Sequence, residues 1–263
     1  MKPNGVAKNM KTSRNAIFSI AGAILWVCAT AAFAAENSAP AGTPLNTFFS
    51  AGSAVPHGPW RVVGLPKGKQ PLTRFDITPL DGQPVLRIQT DHSYGNLVHD
   101  LPDFALAPGM QLRWRWRLDQ PLRQADLRQR EGDDSPLKVC VLFDLPVVQL
   151  GFVERSLIGL ARTVSGEKLP AATLCYVWDA TLAPGTLLHN AYTHRVRMIV
   201  LDSGEQRLGQ WVTHKQDLAA DFRRAFGQES ATVPPLLAVL VGADSDNKGG
   251  QSLGYVGDVT LSP

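Results

Sequence analysis

The stretch Leu112-Arg113-Trp114-Arg115-Trp116-Arg117-Leu118 limits the possible folds more than any other part of the chain. Successive side chains of an extended chain point to opposite sides, so Leu112, Trp114, Trp116 and Leu118 share one face and the three arginines the other. A helix would scatter both sets around its circumference. The period of two predicts a strand with one buried face. Two indoles on that face predict a core large enough for other strands to pack against, while the arginines look out to water or to a ligand.

The rest of the chain is written in the same style. Its 263 residues include 23 glycines and 19 prolines, too many turn-formers for a helical bundle. Residues 73–78 and 85–90 flank Asp81-Gly82, the signature of a hairpin with a tight turn. Further strands are expected at 60–63, 95–99, 138–144, 174–178, 195–201, 236–241 and 255–261. Residues 210–213 are expected to answer 195–201 across the turn Asp202-Ser203-Gly204. Two helices are predicted. Over 152–164, Phe152, Val153, Leu157, Leu160, Ala161 and Val164 recur at helical intervals. Over 217–227, Asp217 caps the start, Leu218, Phe222 and Phe226 share a face, and Gly227 ends the run. About ten short strands with so few helices predict an all-β fold. The expected form is a jelly-roll or galactose-binding-like β-sandwich with one or two short helices, a single domain over 45–263.

Ahead of it, Lys2, Lys8, Lys11 and Arg14 precede an apolar run at 16–27, and Ala32-Phe33-Ala34 offers a small-x-small cleavage site. This pattern predicts a signal peptide over 1–34, followed by a linker at 35–44. The apolar run is too short for a membrane anchor, and Val27 is too bulky for a lipid-attachment motif at Cys28. A periplasmic or secreted protein without a transmembrane anchor is expected. Cleavage removes those four cations from a formal net charge of +3, leaving a near-neutral chain with no electrostatic basis for binding nucleic acid. Cys140 and Cys175 remain. Export permits a disulfide between them, but two small buried side chains on strands is the expected state.

Candidate chemistry lies in acidic and aromatic groups. Asp244-Ser245-Asp246-Asn247-Lys248-Gly249-Gly250 follows a buried strand. Alternate carboxylates in such a turn can converge on a hard cation, so Asp244 and Asp246 are candidate calcium ligands, with Asp258 or a backbone carbonyl completing the set. Lys248 would repel the ion, and the alternative is a turn whose Asp and Asn side chains satisfy their own backbone. Asp133-Asp134 is a second carboxylate pair, suited to acid–base work on a glycan if the fold sets it opposite other acids. No G-x-S-x-G elbow and no phosphate-binding glycine loop occurs. His189 and His194 flank Asn190-Ala191-Tyr192-Thr193 and are placed to meet across a turn, without a third ligand for zinc. Tyr176, Trp178 and Trp211 are candidate stacking platforms for sugar rings, whereas Trp114 and Trp116 are expected in the core.

Several of these stretches together resemble the DUF3047 family, bacterial exported proteins of unknown function. They are the Trp-Arg strand, Gly132-Asp133-Asp134, Leu174-Cys175-Tyr176-Val177-Trp178, Gly209-Gln210-Trp211-Val212, Asp221-Phe222-Arg223-Arg224-Ala225-Phe226-Gly227, Asp244-Ser245-Asp246-Asn247 and Tyr255-Val256-Gly257-Asp258. The resemblance implies an exported sandwich similar to galactose-binding-like or lectin-like domains. It directs attention to the polar residues of those blocks: Asp133, Asp134, Asn190, Arg223, Asp244, Asp246, Asn247 and Asp258. Thr213-His214-Lys215-Gln216 departs from the family's basic pattern there, which weakens a site at His214. The functional expectation is a non-catalytic binding module for a saccharide or envelope component. The alternatives are a carboxylate-dependent glycan hydrolase or lyase and a periplasmic scaffold that binds another protein. No cofactor is expected beyond possible calcium.

Overall fold

A computed structural model describes residues 45–49, 52–165 and 170–263; the predicted signal peptide and linker lie outside them. The elements in order are β1 (Arg61–Val63), β2 (Arg74–Leu80), β3 (Gln83–Asp91), β4 (Tyr94–Phe104), β5 (Gln111–Gln120), β6 (Ser135–Phe143), α1 (Phe152–Ser165), β7 (Ala172–Asp179), β8 (Leu187–His189), β9 (Val196–Ser203), β10 (Val212–Asp217), α2 (Leu218–Phe226), β11 (Leu236–Asp244) and β12 (Gln251–Ser262). They form a seven-stranded sheet, β1-β4-β11-β6-β7-β9-β8, and a five-stranded sheet, β10-β5-β12-β3-β2. Every neighbouring pair of these strands is antiparallel except β7 and β9. The protein is an all-β sandwich of the jelly-roll type.

The Trp-Arg strand is β5, and its alternation sets the core. Trp114 and Trp116 are 2% and 0% exposed. Their rings meet Tyr176 at 5.3 Å and Trp178 at 6.1 Å from β7 of the opposite sheet. The predicted hairpin is β2–β3; Asp81 and Gly82 have φ of 52° and 75°, the paired positive values of a type I′ turn. Helix α2 is also as expected. Asp217 Oδ1 accepts from the Ala220 amide at 2.9 Å, and Phe222 and Phe226 are fully buried.

Three expectations are corrected. Residues 212–217 do not return against β9, whose two edges are taken by β7 and β8; they cross to the other sheet and pair with β5, His214 opposite Trp114. Cys140 and Cys175 are bonded to each other. The register of β6 and β7 sets them directly opposite on one face, a relation across two strands that spacing along the chain does not reveal. The predicted helix α1 forms, but Phe152 and Leu160 of its expected apolar set are 82% and 62% exposed, while Ile158 is buried; the side chains of Val153, Leu157, Ala161 and Val164 lie outside the described ones. Neither helix is long and apolar enough to cross a membrane among the described residues.

Candidate functional site

The strands of the seven-stranded sheet bury one face against the five-stranded sheet and present the other outward. On β4 the outward residues are Tyr94, Asn96, Val98 and Asp100, and the register places Asp244, Gly242, Leu240 and Ala238 of β11 beside them in that order. Beyond β11 come Lys138, Cys140 and Leu142 of β6, opposite Gly242, Leu240 and Ala238. Val177, Cys175 and Thr173 of β7 continue the same rows. These rows floor a groove of about 1470 Å³, walled by β1, by the segment around Asn190 and by Glu154 and Ile158 of α1. Gly242 is required here, because a Cβ would fall 2.3 Å from Asn96 Oδ1 and 2.9 Å from the Gly95 carbonyl. Its bareness lets the Asn96 side chain lie across β11.

One end of the groove is polar, and it collects residues from four separate segments. A 3-10 turn at Arg130–Gly132 delivers Asp133 and Asp134 to the start of β6. Asp134 accepts the Asn247 and Lys248 amides at 2.9 and 2.7 Å, joining this turn to the β11–β12 loop. The Asn247 amide nitrogen donates to the Asp133 carbonyl at 3.0 Å. Asp133 Oδ2 accepts from Asn190 at 2.5 Å. The Tyr192 hydroxyl lies 2.6 Å from Asn247 Oδ1. Lys138 Nζ donates to Asp244 Oδ1 at 2.5 Å and sits 5.1 Å from the centre of the Tyr94 ring.

The electrostatics follow from burial. Loss of solvent pushes the Asp244 carboxyl up to about 6, with the neighbouring Lys138 ammonium opposing. Burial also raises Asp133, against the Asn190 hydrogen bond, and raises Asp246, helped by the Asp134 charge. Burial disfavours the Lys138 ammonium, but the Asp244 charge and hydrogen bond, together with Tyr94 and Asp133, outweigh it and hold the group protonated. At this end of the groove two buried acceptors are left without a donor among the described residues, Oδ1 of Asp246 and Oδ1 of Asn96.

Asp134, Asp244 and Asp246 each offer a carboxylate oxygen within 4.8 Å of the others, the convergence that calcium would need. The donors available are reduced by internal bonds. Lys138 holds Asp244, both oxygens of Asp134 accept backbone amides, and the ammonium already supplies positive charge inside the cluster.

Of the residues singled out by sequence, Asp133, Asp134, Asn190, Asp244, Asp246 and Asn247 come together at this end. The aromatic candidates do not. Tyr176 and Trp178 are core residues, 0% and 1% exposed, and cannot stack on a ligand; Tyr176 donates to Asp221 at 2.8 Å from inside the fold. Trp211 lies beside the five-stranded sheet, donating to Asp81 at 2.9 Å under the Arg115 guanidinium. Arg223 is exposed on α2. Asp258 is on β12, and its side chain lies outside the described ones. His189 and His194 meet as expected, ring centres 4.8 Å apart. His214 faces inward and bonds Asp202 at 2.7 Å. Sequence reading missed Tyr94, Asn96, Lys138 and Tyr192. The alternation of Tyr94 and Asn96 along β4 was visible, but not which strands would flank it.

The family described as a protein of unknown function, DUF3047, matches residues 58–260. No curated protein matches the chain in sequence. Among solved structures, Trichoderma harzianum endoglucanase 3 of family GH12 is 10% identical with a TM-score of 0.40, covering 78% of this chain and 98% of its own. The xyloglucanase domain of NopAA, a type three effector from Sinorhizobium fredii, is 8% identical at a TM-score of 0.41, with shares of 78% and 98%. A family 11 carbohydrate-binding module from Clostridium thermocellum is 10% identical at 0.36, with shares of 84% and 93%.

Proposed function

The chain belongs to the DUF3047 family, and from that starting point we propose that it is an exported, non-catalytic binding protein. Its ligand is a saccharide or saccharide-bearing envelope component, held at the polar end of the groove. The observation that carries this reading is the pair of buried acceptors without donors, Asp246 Oδ1 and Asn96 Oδ1, at the end where Asp133, Asp244 and Asn190 converge. A buried acceptor left unpaired costs about 1–3 kcal/mol, and a ligand hydroxyl relieves that cost by donating to it. Sugars carry such donors in closely spaced rows. Export is supported by the basic and apolar N-terminal pattern and by the Cys140–Cys175 disulfide, a bond that persists in oxidising compartments.

The test is thermal unfolding of the purified protein against a glycan panel, in calcium and again in chelator. A ligand at 100 times its dissociation constant adds about 2.7 kcal/mol to the folded state, so one sugar class is expected to raise the midpoint in both buffers. The Asp246→Asn variant is expected to lose that shift. A shift with calcium alone would instead assign Asp134, Asp244 and Asp246 to a metal, and no shift with any glycan would count against the reading.

One observation favours a second reading. Asp244, pushed up to about 6 beside Asp246, has the raised carboxyl that a glycan-cleaving enzyme uses as its general acid. That reading expects product release from the same panel and its loss in Asp244→Asn.

A further inference from the structure

Resting on the saccharide reading, we propose that the bound sugar carries a free amine, its ammonium held by the Asp133, Asp244 and Asp246 carboxylates at the end of the groove. The starting point is an imbalance of charge. Asp133, Asp134 and Asp244 are each less than one-tenth exposed, and Asp246 joins them half-buried. Among the described residues the ammonium inside this cluster is that of Lys138, already bonded to Asp244. Arg130 turns away, donating to the Ala191 carbonyl at 3.0 Å and lying over the Tyr192 ring. Lys248 gives the cluster its backbone amide and is itself exposed. Elsewhere along the groove the charges are matched. Arg61 pairs with Asp100 at 3.0 Å, and Arg195 with Glu229 at 2.6 Å and Glu154 at 3.4 Å. The surplus of negative charge therefore belongs to one end.

A buried carboxylate without a matching cation is costly, and burial accordingly raises Asp133, Asp244 and Asp246. A neutral hydroxyl supplies a hydrogen bond but no charge, whereas a bond to a charged donor is roughly twice as strong. Asn96 supplies a second observation, from another strand. It is 8% exposed, and the bareness of Gly242 lets its Oδ1 reach across β11 toward Lys138, the residue opposite Gly242 on β6, yet no donor meets it. Acceptors thus point inward from β4 and from the β11–β12 loop, and what the end lacks is donors and positive charge. An ammonium brings three donors and one charge in a compact group. Calcium suits the same acids less well. Both oxygens of Asp134 already accept backbone amides, and the Lys138 ammonium repels a dication twice as strongly as a monocation. Tyr192 stands at the entrance, 54% exposed, with its hydroxyl 2.6 Å from Asn247 Oδ1. Burial and the nearby Asp133 and Asp246 charges raise that hydroxyl, and its ring moves aside when the amine enters.

The experiment is calorimetric titration of the purified full chain with three β-1,4-linked disaccharides, buffered below the pKa of the sugar amine. They are the glucosamine dimer, its N-acetylated form and cellobiose, which differ only in having an amine, an acetamide or a hydroxyl at carbon 2. The amine form is expected to bind about tenfold tighter than either of the others. Asp246→Asn, folded by circular dichroism, is expected to lose that preference. Equal binding of all three sugars would overturn the amine and leave the saccharide reading intact. A preference unchanged in Asp246→Asn would place the amine elsewhere and would also overturn it. Calcium displacing the glucosamine dimer, with a binding heat of its own, would make the cluster a metal site and overturn it as well. Putrescine, a diamine without a sugar, binding as tightly as the glucosamine dimer would overturn the saccharide reading too, as would no heat with any of the three sugars.

Discussion

Asp134 and Asp246 stand in the same carboxylate cluster and do different work. Asp134 is 1% exposed and accepts two backbone amides, Asn247 and Lys248, which holds the β11–β12 loop against the start of β6. Asp134→Ala leaves those donors unpaired and is expected to destabilise the protein by about 2–4 kcal/mol in urea unfolding. Asp246 has a buried oxygen without a donor and a like charge nearby. Asp246→Asn removes that repulsion and is expected to leave stability unchanged or raise it by up to about 1 kcal/mol. A loss comparable to that of Asp134→Ala would make Asp246 a structural residue. Asp244 gives the cluster a pH response. Its folded pKa of about 6 lies above its ordinary 3.8, so the folded state keeps a proton that the unfolded chain has released. Its contribution to stability is therefore greatest below pH 4 and falls as pH rises to 6. Asp133 and Asp246, also raised, act in the same direction. Lys138, raised as well, keeps its contribution until alkaline pH. A carboxyl-carbon titration by nuclear magnetic resonance is expected to give Asp244 a midpoint near 6, and a midpoint near 4 would refute the shift.

Among the elements, β6 and β7 are joined twice, by their ladder and by the Cys140–Cys175 bond, which closes a loop of 35 residues containing α1. A crosslink of that span restricts the unfolded chain and contributes roughly 4 kcal/mol on the chain-entropy account. Cys140→Ala with Cys175→Ala is expected to lower unfolding stability by an amount of that order, and reductant to do the same to the parent protein. Equal stability with and without the bond would show that the ladder alone holds the pair. The elements also differ in how openly the sequence announces them. The β2–β3 hairpin, β5 and α2 are legible because each is decided within its own residues: the Asp81-Gly82 turn, the Trp-Arg alternation, the Asp217 cap. The destination of β10 is not. Its residues alternate between half-buried and exposed, a pattern that fits an edge position in either sheet, and the choice is made by β8 occupying the edge of β9.

Across the whole molecule, both sheets contribute to one core, in which Trp114 and Trp116 of β5 pack on Tyr176 and Trp178 of β7. Far-ultraviolet and near-ultraviolet circular dichroism are therefore expected to report the same thermal midpoint; separate midpoints would show that the sheets unfold independently. That an all-β sandwich forms was readable from the chain because strand alternation, turns and caps are short-range properties, each set by a few adjacent residues. The acidic residues of the groove were readable as residues for the same reason. Their convergence was decided by folding. Asp133 and Asp134 meet Asp244, Asp246 and Asn247 only because β6 and β11 are hydrogen-bonded neighbours, although more than a hundred residues separate them. Tyr176 and Trp178 are the converse case, since an aromatic alternation predicts a buried face but does not say which of two sheets will cover it. Strand order, and with it the identity of the face left open as a groove, depends on contacts between residues far apart in the chain. Local periodicity contains no record of them.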